Sequence, residues 1–179
     1  MADIIDDFLS DNEFEKIREK FEGFRSGDVR ILFEENPIDW HYNPYVSNVG
    51  GHENDVDFYM THMIFKYPHG ACSKIFNDLR PIIERLAPTS IIRIKANLYP
   101  NQGTLKEHKP HTDLKYSHHG GIFSINTCDG YTLLEDGTKV SSVANRMLLF
   151  DASKPHASTT TSNTKARMNI NFNYHKFSK

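Results

Sequence analysis

The chain has 179 residues, with 21 lysines and arginines against 23 aspartates and glutamates, and therefore a formal net charge of −2. Hydrophobic residues make up 38% and charged residues 25%, which is typical of a folded domain with a core and excludes a disordered tail. The near-neutral charge disfavours nucleic acid as a partner, because phosphate binding usually requires a basic excess. No apolar stretch approaches the roughly 20 residues that cross a bilayer, so we expect no membrane partner.

The amino terminus, MADIIDDFLSDNEFE, is acidic and lacks the basic-then-apolar order of a secretion signal. Cys72 and Cys128 are too few for a disulfide framework or a four-cysteine zinc site, and we expect them to be inert thiols. These features predict a cytoplasmic protein in a reducing environment. Composition and charge give no indication of the oligomeric state.

A helix is predicted close to the amino terminus. Ser10 and Glu13 form a capping-box pattern, and Phe14, Ile17 and Phe21 follow at helical spacing. Glycines shortly after residue 22 predict the end of this helix.

The next segment combines a short strand with a long loop. Residues 28–33 alternate between apolar and polar side chains, and residues 34–55 are rich in proline, glycine and asparagine. The predicted loop carries Trp40, Tyr42 and Tyr45. These aromatics fit two interpretations equally well: a surface that grips substrate, or a loop anchored to the rest of the domain by its own rings.

The remainder of the chain is predicted to be mainly β-structure. A strand over 58–65 is followed by a helical stretch over 70–86, in which Pro81 predicts a kink or a break. Short β-type runs separated by turn signals then cover 91–98, 121–127, 131–134, 138–143, 146–150 and 167–174. Strands at this spacing are typical of a sandwich or jelly roll. We therefore expect one domain of α+β class: N-terminal helices, loop and supporting strands over 1–88, and an all-β core over 89–179.

A candidate metal site begins with the triplet His111-Thr112-Asp113. On an extended strand, positions i and i+2 point to the same side, so His111 and Asp113 can bind one ion together. His156 lies 43 residues beyond Asp113, just after an apolar run, and would add a second imidazole. Two histidines and one carboxylate on one face leave coordination positions open, as in non-haem Fe(II) oxygenases. Arg167 follows 11 residues later, and its guanidinium can hold a carboxylate with two parallel hydrogen bonds.

The order and spacing of these motifs resemble the 2-oxoglutarate/Fe(II)-dependent dioxygenases, in particular the prolyl 4-hydroxylase-like branch. The resemblance covers about residues 90–175. It is carried by NLYPNQGT at 97–104, HTD at 111–113, KPH at 154–156 and KAR at 165–167. It implies a double-stranded β-helix (jelly roll) supported by N-terminal helices.

The resemblance also implies roles for individual residues. His111, Asp113 and His156 would hold Fe(II) and form the catalytic centre, and Arg167 would pair with the distal carboxylate of 2-oxoglutarate. Further contacts with the cosubstrate or its cavity would come from Tyr99, Asn171 and Asn97.

The implied activity is that of an oxidoreductase that couples substrate oxidation to the decarboxylation of 2-oxoglutarate to succinate, with ascorbate as a reductant. We expect a hydroxylase that acts on prolyl residues of a peptide or protein. A small molecule or a nucleobase is the alternative substrate. The sequence MNINFNY after Arg167 contains no second arginine, which disfavours a nucleobase-demethylating oxygenase.

Other interpretations of the same residues stay open. Tyr99 fits a core aromatic as well as a cosubstrate contact, and His108 competes with His111 as a ligand although no carboxylate lies two residues beyond it. The pair His118-His119 fits a solvated turn better than a metal or substrate contact. A cupin-like binding module without catalytic activity would explain the three ligands, whereas a zinc hydrolase would give Arg167 no role.

Overall fold

The computed structural model describes residues 2–22, 38–46 and 58–177. The helices are α1 (Asp11–Glu22), a 3-10 helix (Lys74–Leu79) and α2 (Arg80–Leu86). The strands are β1 (Asp3–Ile5), β2 (His41–Asn43), β3 (Tyr59–Lys66), β4 (Gly70–Ala71), β5 (Ser90–Pro100), β6 (His119–Ser124), β7 (Tyr131–Leu134), β8 (Lys139–Ser141), β9 (Met147–Asp151), β10 (His156–Ser158) and β11 (Ala166–His175). The predicted strand over 28–33 lies outside the described residues.

Helix α1 begins at the predicted capping box. The Ser10 backbone N–H and hydroxyl donate to the Glu13 carboxylate at 3.0 and 2.7 Å, and these bonds, with one from Arg85, lower the pKa of Glu13 to about 2. The apolar positions Phe14 and Ile17 are buried, as their spacing predicts. One face of the helix therefore packs against the sheet.

None of the described helices has the length and hydrophobicity needed to span a bilayer.

Within the described ranges, the strands form two antiparallel sheets. The larger has eight strands in the order β1-β9-β6-β11-β5-β3-β2, with β4 paired to β3, and the smaller has the order β10-β7-β8. Two isolated bridges, Glu107↔Thr159 and His111↔His156, extend pairing on the β10 side of the smaller sheet. The segment between β5 and β6 is thus tied to the smaller sheet.

Strands β5 and β11 present an apolar side and a polar side. Their apolar side chains, including Ile94, Ala96, Ile170 and Phe172, belong to a buried core shared with α1, the 3-10 helix and α2. Because side chains alternate along a strand, the intervening residues face the other way, toward the smaller sheet. These are Arg93, Lys95, Asn97, Tyr99, Arg167, Asn169, Asn171 and Asn173. The centre of the large sheet therefore carries the core on one face and a polar interior on the other.

Several elements differ from the sequence prediction. The helical stretch over 70–86 contains β4 and then divides into the 3-10 helix and α2, with Pro81 in the first turn of α2. The predicted loop over 34–55 contains β2, which pairs with β3; the rest of that loop lies partly outside the described residues. Strands β1 and β10 were not predicted, because three residues are too few to establish an alternating pattern.

Candidate metal centre

The structure brings His111, Asp113 and His156 together, with one potential ligand atom of each within 4.8 Å of the others. His156 Nε2 lies 3.8 Å from Asp113 Oδ2. His111 and His156 are directly paired, because the backbone N–H of each donates to the carbonyl of the other at 2.9 Å. We expected His111 to lie on a strand; instead it forms a single bridge. The bridge still places the two imidazoles side by side, with ring centroids 4.7 Å apart.

His156 has a defined orientation. Its Nδ1 lies 2.9 Å from the Lys154 carbonyl oxygen. A carbonyl oxygen can only accept, so Nδ1 carries a proton and Nε2 is the ring nitrogen available to a metal. The Phe150 ring packs edge-on against the imidazole, at 4.9 Å between centroids. The hydrogen bond and the ring contact together direct Nε2 toward Asp113, as in histidines that bind metals.

Asp113 is held by three side chains from the large sheet. Arg93 Nη2 donates to Oδ1 at 2.7 Å, and the amides of Asn171 and Asn173 donate to Oδ2 at 3.1 and 2.9 Å. Burial alone would raise the pKa of Asp113, but the charge of Arg93 and the two amide bonds outweigh it and hold that pKa well below its usual range. The carboxylate is therefore ionised and its position is fixed.

A second layer of hydrogen bonds supports this arrangement. The Asn173 side-chain carbonyl accepts from Arg93 Nε at 2.9 Å, and its amide nitrogen lies 3.3 Å from His118 Nε2. His118 is buried, so the solvated turn that we favoured for His118-His119 is wrong at this position. His119 is exposed and stacks on Tyr174. His118 contributes through Asn173 and does not belong to the group of potential ligands.

His111 and His108 lie close together but differ in what they contact. Burial, and then the charge of His156, lowers the pKa of His111 to about 4, so its ring is neutral near pH 7 and has a lone pair for a metal. His108 Nδ1 lies 2.8 Å from Ser158 Oγ. Its pKa is also lowered to about 4, by burial and then by the charge of Arg167. Among the described residues, His111 and not His108 lies with Asp113 and His156.

Arg167 is buried, and none of the described residues gives it an acidic partner. Only 1% of the residue is exposed, Nη1 donates to the Thr159 carbonyl at 3.2 Å, and Nη2 donates to Thr132 Oγ1 at 2.9 Å. Within the described part of the chain, no carboxylate lies at ion-pair distance from this guanidinium. Burial lowers the pKa of Arg167, yet an arginine stays protonated in proteins. Because an unpaired buried ion costs on the order of several kcal/mol, this position is suited to an anionic ligand.

Tyr99 has features of both predicted roles. It is buried and stacks on Tyr59 with ring centroids 5.5 Å apart, as a core aromatic does. Its ring also lies 5.7 Å from the Arg167 guanidinium, and burial raises the pKa of its hydroxyl. Tyr99 therefore forms one wall beside Arg167.

Polar atoms without partners are concentrated in the same interior. Among the described residues, Arg167 Nε, His108 Nε2, Asn97 Oδ1 and Asn171 Oδ1 are buried and form no hydrogen bond. The Asn97 amide nitrogen is satisfied, since it donates to Asn169 at 2.9 Å. Buried polar groups are normally hydrogen-bonded, so this cluster fits a polar ligand that supplies the missing partners.

A cavity of about 450 Å³ opens beside two of the three potential ligands. Its walls include His111 and Asp113 and a residue of the predicted aromatic loop, Tyr45. Trp40 from the same loop packs against Phe21, with ring centroids 6.4 Å apart. Trp40 therefore anchors the loop, and Tyr45 lines the cavity; a grip on substrate by this loop stays a prediction.

Comparison with known proteins adds information about the fold. No family model and no curated protein matches the sequence. Solved structures do match, with TM-scores that indicate a shared architecture. A prolyl hydroxylase from Trichoplax adhaerens, in complex with a peptide of the hypoxia inducible factor oxygen degradation domain, has a TM-score of 0.65 and 16% identity over 97% of this chain and 83% of that chain.

Two further structures match over a similar extent. An oxidoreductase of the 2OG-Fe(II) oxygenase family from Burkholderia pseudomallei has a TM-score of 0.65 and 10% identity over 99% of this chain and 86% of that chain. HygX from Streptomyces hygroscopicus, with nickel, 2-oxoglutarate and hygromycin B bound, has a TM-score of 0.58 and 12% identity over 97% and 82% of the two chains. The resemblance found in the motifs is confirmed at the level of the fold: the chain has the double-stranded β-helix of the 2-oxoglutarate/Fe(II) oxygenases.

Proposed function

We propose that this protein is a 2-oxoglutarate- and Fe(II)-dependent dioxygenase. The observation that carries the proposal is the convergence of His111, Asp113 and His156 on an interior that also holds the Arg167 guanidinium, which has no acidic partner among the described residues. A structural metal site would explain the three ligands but not a buried cation without an acid. A metal site with open coordination positions and an anion site in the same interior are what the two ends of 2-oxoglutarate require.

His111, Asp113 and His156 would hold the iron. Their chemistry fits this role, because two imidazoles and one ionised carboxylate bind Fe(II) and leave coordination positions open. Bound ferrous iron supplies the redox chemistry that couples the decarboxylation of 2-oxoglutarate to oxidation of the substrate. The protein's part is to keep the Asp113 carboxylate ionised, which Arg93 does, and to orient the His156 ring, which the Lys154 carbonyl does.

Arg167 would bind the distal carboxylate of 2-oxoglutarate. Thr132 and Thr159 hold two of the guanidinium nitrogens and Tyr99 packs beside it, so the group is already ordered before an anion arrives. The free side-chain oxygens of Asn97 and Asn171 lie in the same polar interior and are available for further contacts. A dicarboxylate held in this way is shielded from water by the buried surroundings of Arg167.

We further propose that the substrate is a prolyl residue of a peptide or protein. The similarity in fold to the Trichoplax prolyl hydroxylase supports this choice, and the open cavity beside Asp113 is large enough for a side chain presented by a peptide. The similarity to HygX, which has hygromycin B bound, makes a small molecule the alternative.

The proposal is tested by adding Fe(II) and 2-oxoglutarate to the protein without oxygen and recording the visible spectrum. We expect a metal-to-ligand charge-transfer band in the wild type and none in Asp113→Ala. A cupin-like binding module or a zinc hydrolase would give no band, and that result would reject the proposal. Succinate release measured with proline-containing peptides, free amino acids and single-stranded DNA then identifies the substrate class.

A further inference from the structure

The cavity beside the candidate metal centre is lined by an excess of basic residues. Arg93, Lys95 and Lys115 line it, and Asp113 is the one acidic residue on its described walls. Asp113 is already paired with Arg93 at 2.7 Å. The two lysines are therefore not neutralised by any described group on the cavity walls.

Of the two lysines, Lys95 is the one whose contacts the structure defines. Its ammonium group donates to the Tyr59 hydroxyl at 3.3 Å and lies 5.3 Å from the centroid of the Tyr59 ring. No carboxylate among the described residues lies at ion-pair distance from it. Burial and the charge of Arg93 lower the pKa of Lys95 to about 8. A partly buried ammonium with one neutral partner is poorly compensated, which favours binding of an anion.

The strand register places Lys95 next to the metal ligands. Lys95 on β5 is paired with Asn171 on β11, and the Asn171 amide donates to Asp113. Arg167 is paired with Tyr99, four residues further along β5, which corresponds to about 13 Å of strand. The two cationic groups thus lie at separate levels of the interior: Arg167 at the buried level and Lys95 at the level of the open cavity.

Binding of iron and 2-oxoglutarate would not remove the positive charge of the cavity. Ferrous iron is a dication and 2-oxoglutarate a dianion, so their formal charges cancel. Asp113 then offsets only one of the four cations formed by Arg93, Arg167, Lys95 and Lys115. A substrate that enters this cavity meets a positive field even with iron and cosubstrate bound.

We propose that the substrate carries a carboxylate or phosphate group, which Lys95 binds directly beside the metal centre and which Lys115 attracts at the exposed rim. This inference rests on the proposed function and adds an anionic group to the substrate proposed there. It assigns Lys95 to the substrate and Arg167 to the cosubstrate.

The test uses the visible band of the anaerobic protein with Fe(II) and 2-oxoglutarate as a reporter of binding near the metal. Three probes are titrated: N-acetylproline, its neutral amide N-acetylprolinamide, and methyl phosphate. We expect both anions to perturb the band at concentrations at least about tenfold lower than the amide, as a charge-assisted contact requires. The anion that binds more tightly shows whether the substrate carries a carboxylate or a phosphate.

Three lysine variants make the test specific. Lys95→Met should reduce the preference for anions to within about twofold, and Lys95→Arg should keep it. Lys139→Met is the matched control, because Lys139 makes the same type of contact with Tyr131, at 3.1 Å to the hydroxyl, but lies on the exposed surface of β8. The control should keep the full preference.

Several outcomes would overturn the inference. Equal effects of the acid and the amide, no effect of any probe, or an unchanged preference in Lys95→Met would each do so. If Lys95→Met removes the band itself, Lys95 belongs to the cosubstrate site and the assignment to substrate is wrong. A band without a charge preference rejects this inference alone, whereas absence of a band in the wild type rejects the proposed function as well.

Discussion

At Asp113, both carboxylate oxygens accept hydrogen bonds from neighbouring side chains. Oδ1 accepts from Arg93, and Oδ2 accepts from Asn171 and Asn173. These contacts come from the rigid strands β5 and β11 rather than from the loop that carries Asp113. Groups that orient a metal ligand in this way usually tune the affinity for the metal.

Asn173→Ala should therefore weaken metal binding. The substitution removes one bond to Asp113 Oδ2 and the acceptor of Arg93 Nε, and we expect affinity to fall roughly 10- to 100-fold. Competition with a chelator, using Mn(II) in place of iron, measures the change. Asn169→Ala is the control, because Asn169 lies on the same face of β11 but accepts from Asn97 and has no bond to Asp113. Equal losses in the two variants would contradict the role of Asn173.

Arg167→Lys should weaken 2-oxoglutarate binding far more than metal binding. A lysine keeps the charge but loses the planar fork that Thr159 and Thr132 hold in place. Charge-assisted hydrogen bonds contribute about 1.5–3 kcal/mol, so we expect affinity for the cosubstrate to fall roughly 10- to 100-fold. Titration of the anaerobic visible band with 2-oxoglutarate gives this affinity. Wild-type and variant proteins with the same affinity would show that Arg167 does not bind the cosubstrate.

The sequence predicted His111, Asp113, His156 and Arg167 as one group, and the structure places the first three together. That prediction depended on several short motifs that follow one another in a particular order. No single motif would have supported it. Arg93 was missed because its contact with Asp113 depends on the fold and not on any local motif. Asn173 could have been found, since it lies two residues beyond Asn171 on the same side of β11.

At the scale of single elements, the packing of β6 against β9 depends on a glycine. A Cβ atom added at Gly120 would lie 2.6 Å from Ala152 Cβ and 2.9 Å from the Phe150 ring. Gly120→Ala should therefore destabilise the fold by about 1–3 kcal/mol, the usual cost of overpacking. Gly121→Ala is the matched control, because the atom nearest to its added Cβ is the flexible Met147 sulfur at 3.3 Å. Urea unfolding measures both, and equal stability of the two variants would contradict this packing.

The carboxylate of Asp129 holds the turn that precedes β11, and acid should weaken this contact. Its carboxylate accepts from the Ser162 hydroxyl, from the Ser162 N–H at 3.0 Å and from Thr161 Oγ1 at 2.7 Å. These bonds, the Ser162 hydroxyl foremost, lower the pKa of Asp129 from 3.8 to about 2. A pKa lowered on folding adds stability above the unfolded value, and that stability is lost as the pH falls through 3.8 toward 2.

Asp129→Asn should remove this contribution. The free energy of unfolding of the wild type should exceed that of the variant at about pH 5, and the difference should shrink toward about pH 2. Chemical denaturation at several pH values measures the difference. A difference that stays constant over this range would show that Asp129 does not cause the acid response.

The elements that the sequence predicted well are those with enough residues to repeat a pattern. The alternation over 167–174 and 131–134 corresponds to β11 and β7, and the helical spacing near the amino terminus corresponds to α1. Strands of three residues, such as β1 and β10, owe their existence to partners far away in the chain. Tertiary pairing determines such elements, and local propensity does not. The division of the domain near residue 88 and the strand over 28–33 stay predictions.

At the scale of the whole molecule, β5 and β11 connect stability and chemistry. Each strand contributes apolar side chains to the core with the helices on one face and polar side chains to the interior on the other. The apolar core on the opposite face of the same strands therefore offsets the unfavourable free energy of burying Arg167 and the asparagines. A ligand that satisfies these groups is expected to stabilise the protein, since it binds the folded state only.

The most direct test of the account is the release of succinate from 2-oxoglutarate by the purified protein with Fe(II) in air. We predict release by the wild type that stops when oxygen or iron is removed, and none by His111→Ala or Asp113→Ala, whose thermal unfolding still shows a folded protein. Succinate release by either variant at the wild-type rate would contradict the assignment of these residues and of the activity.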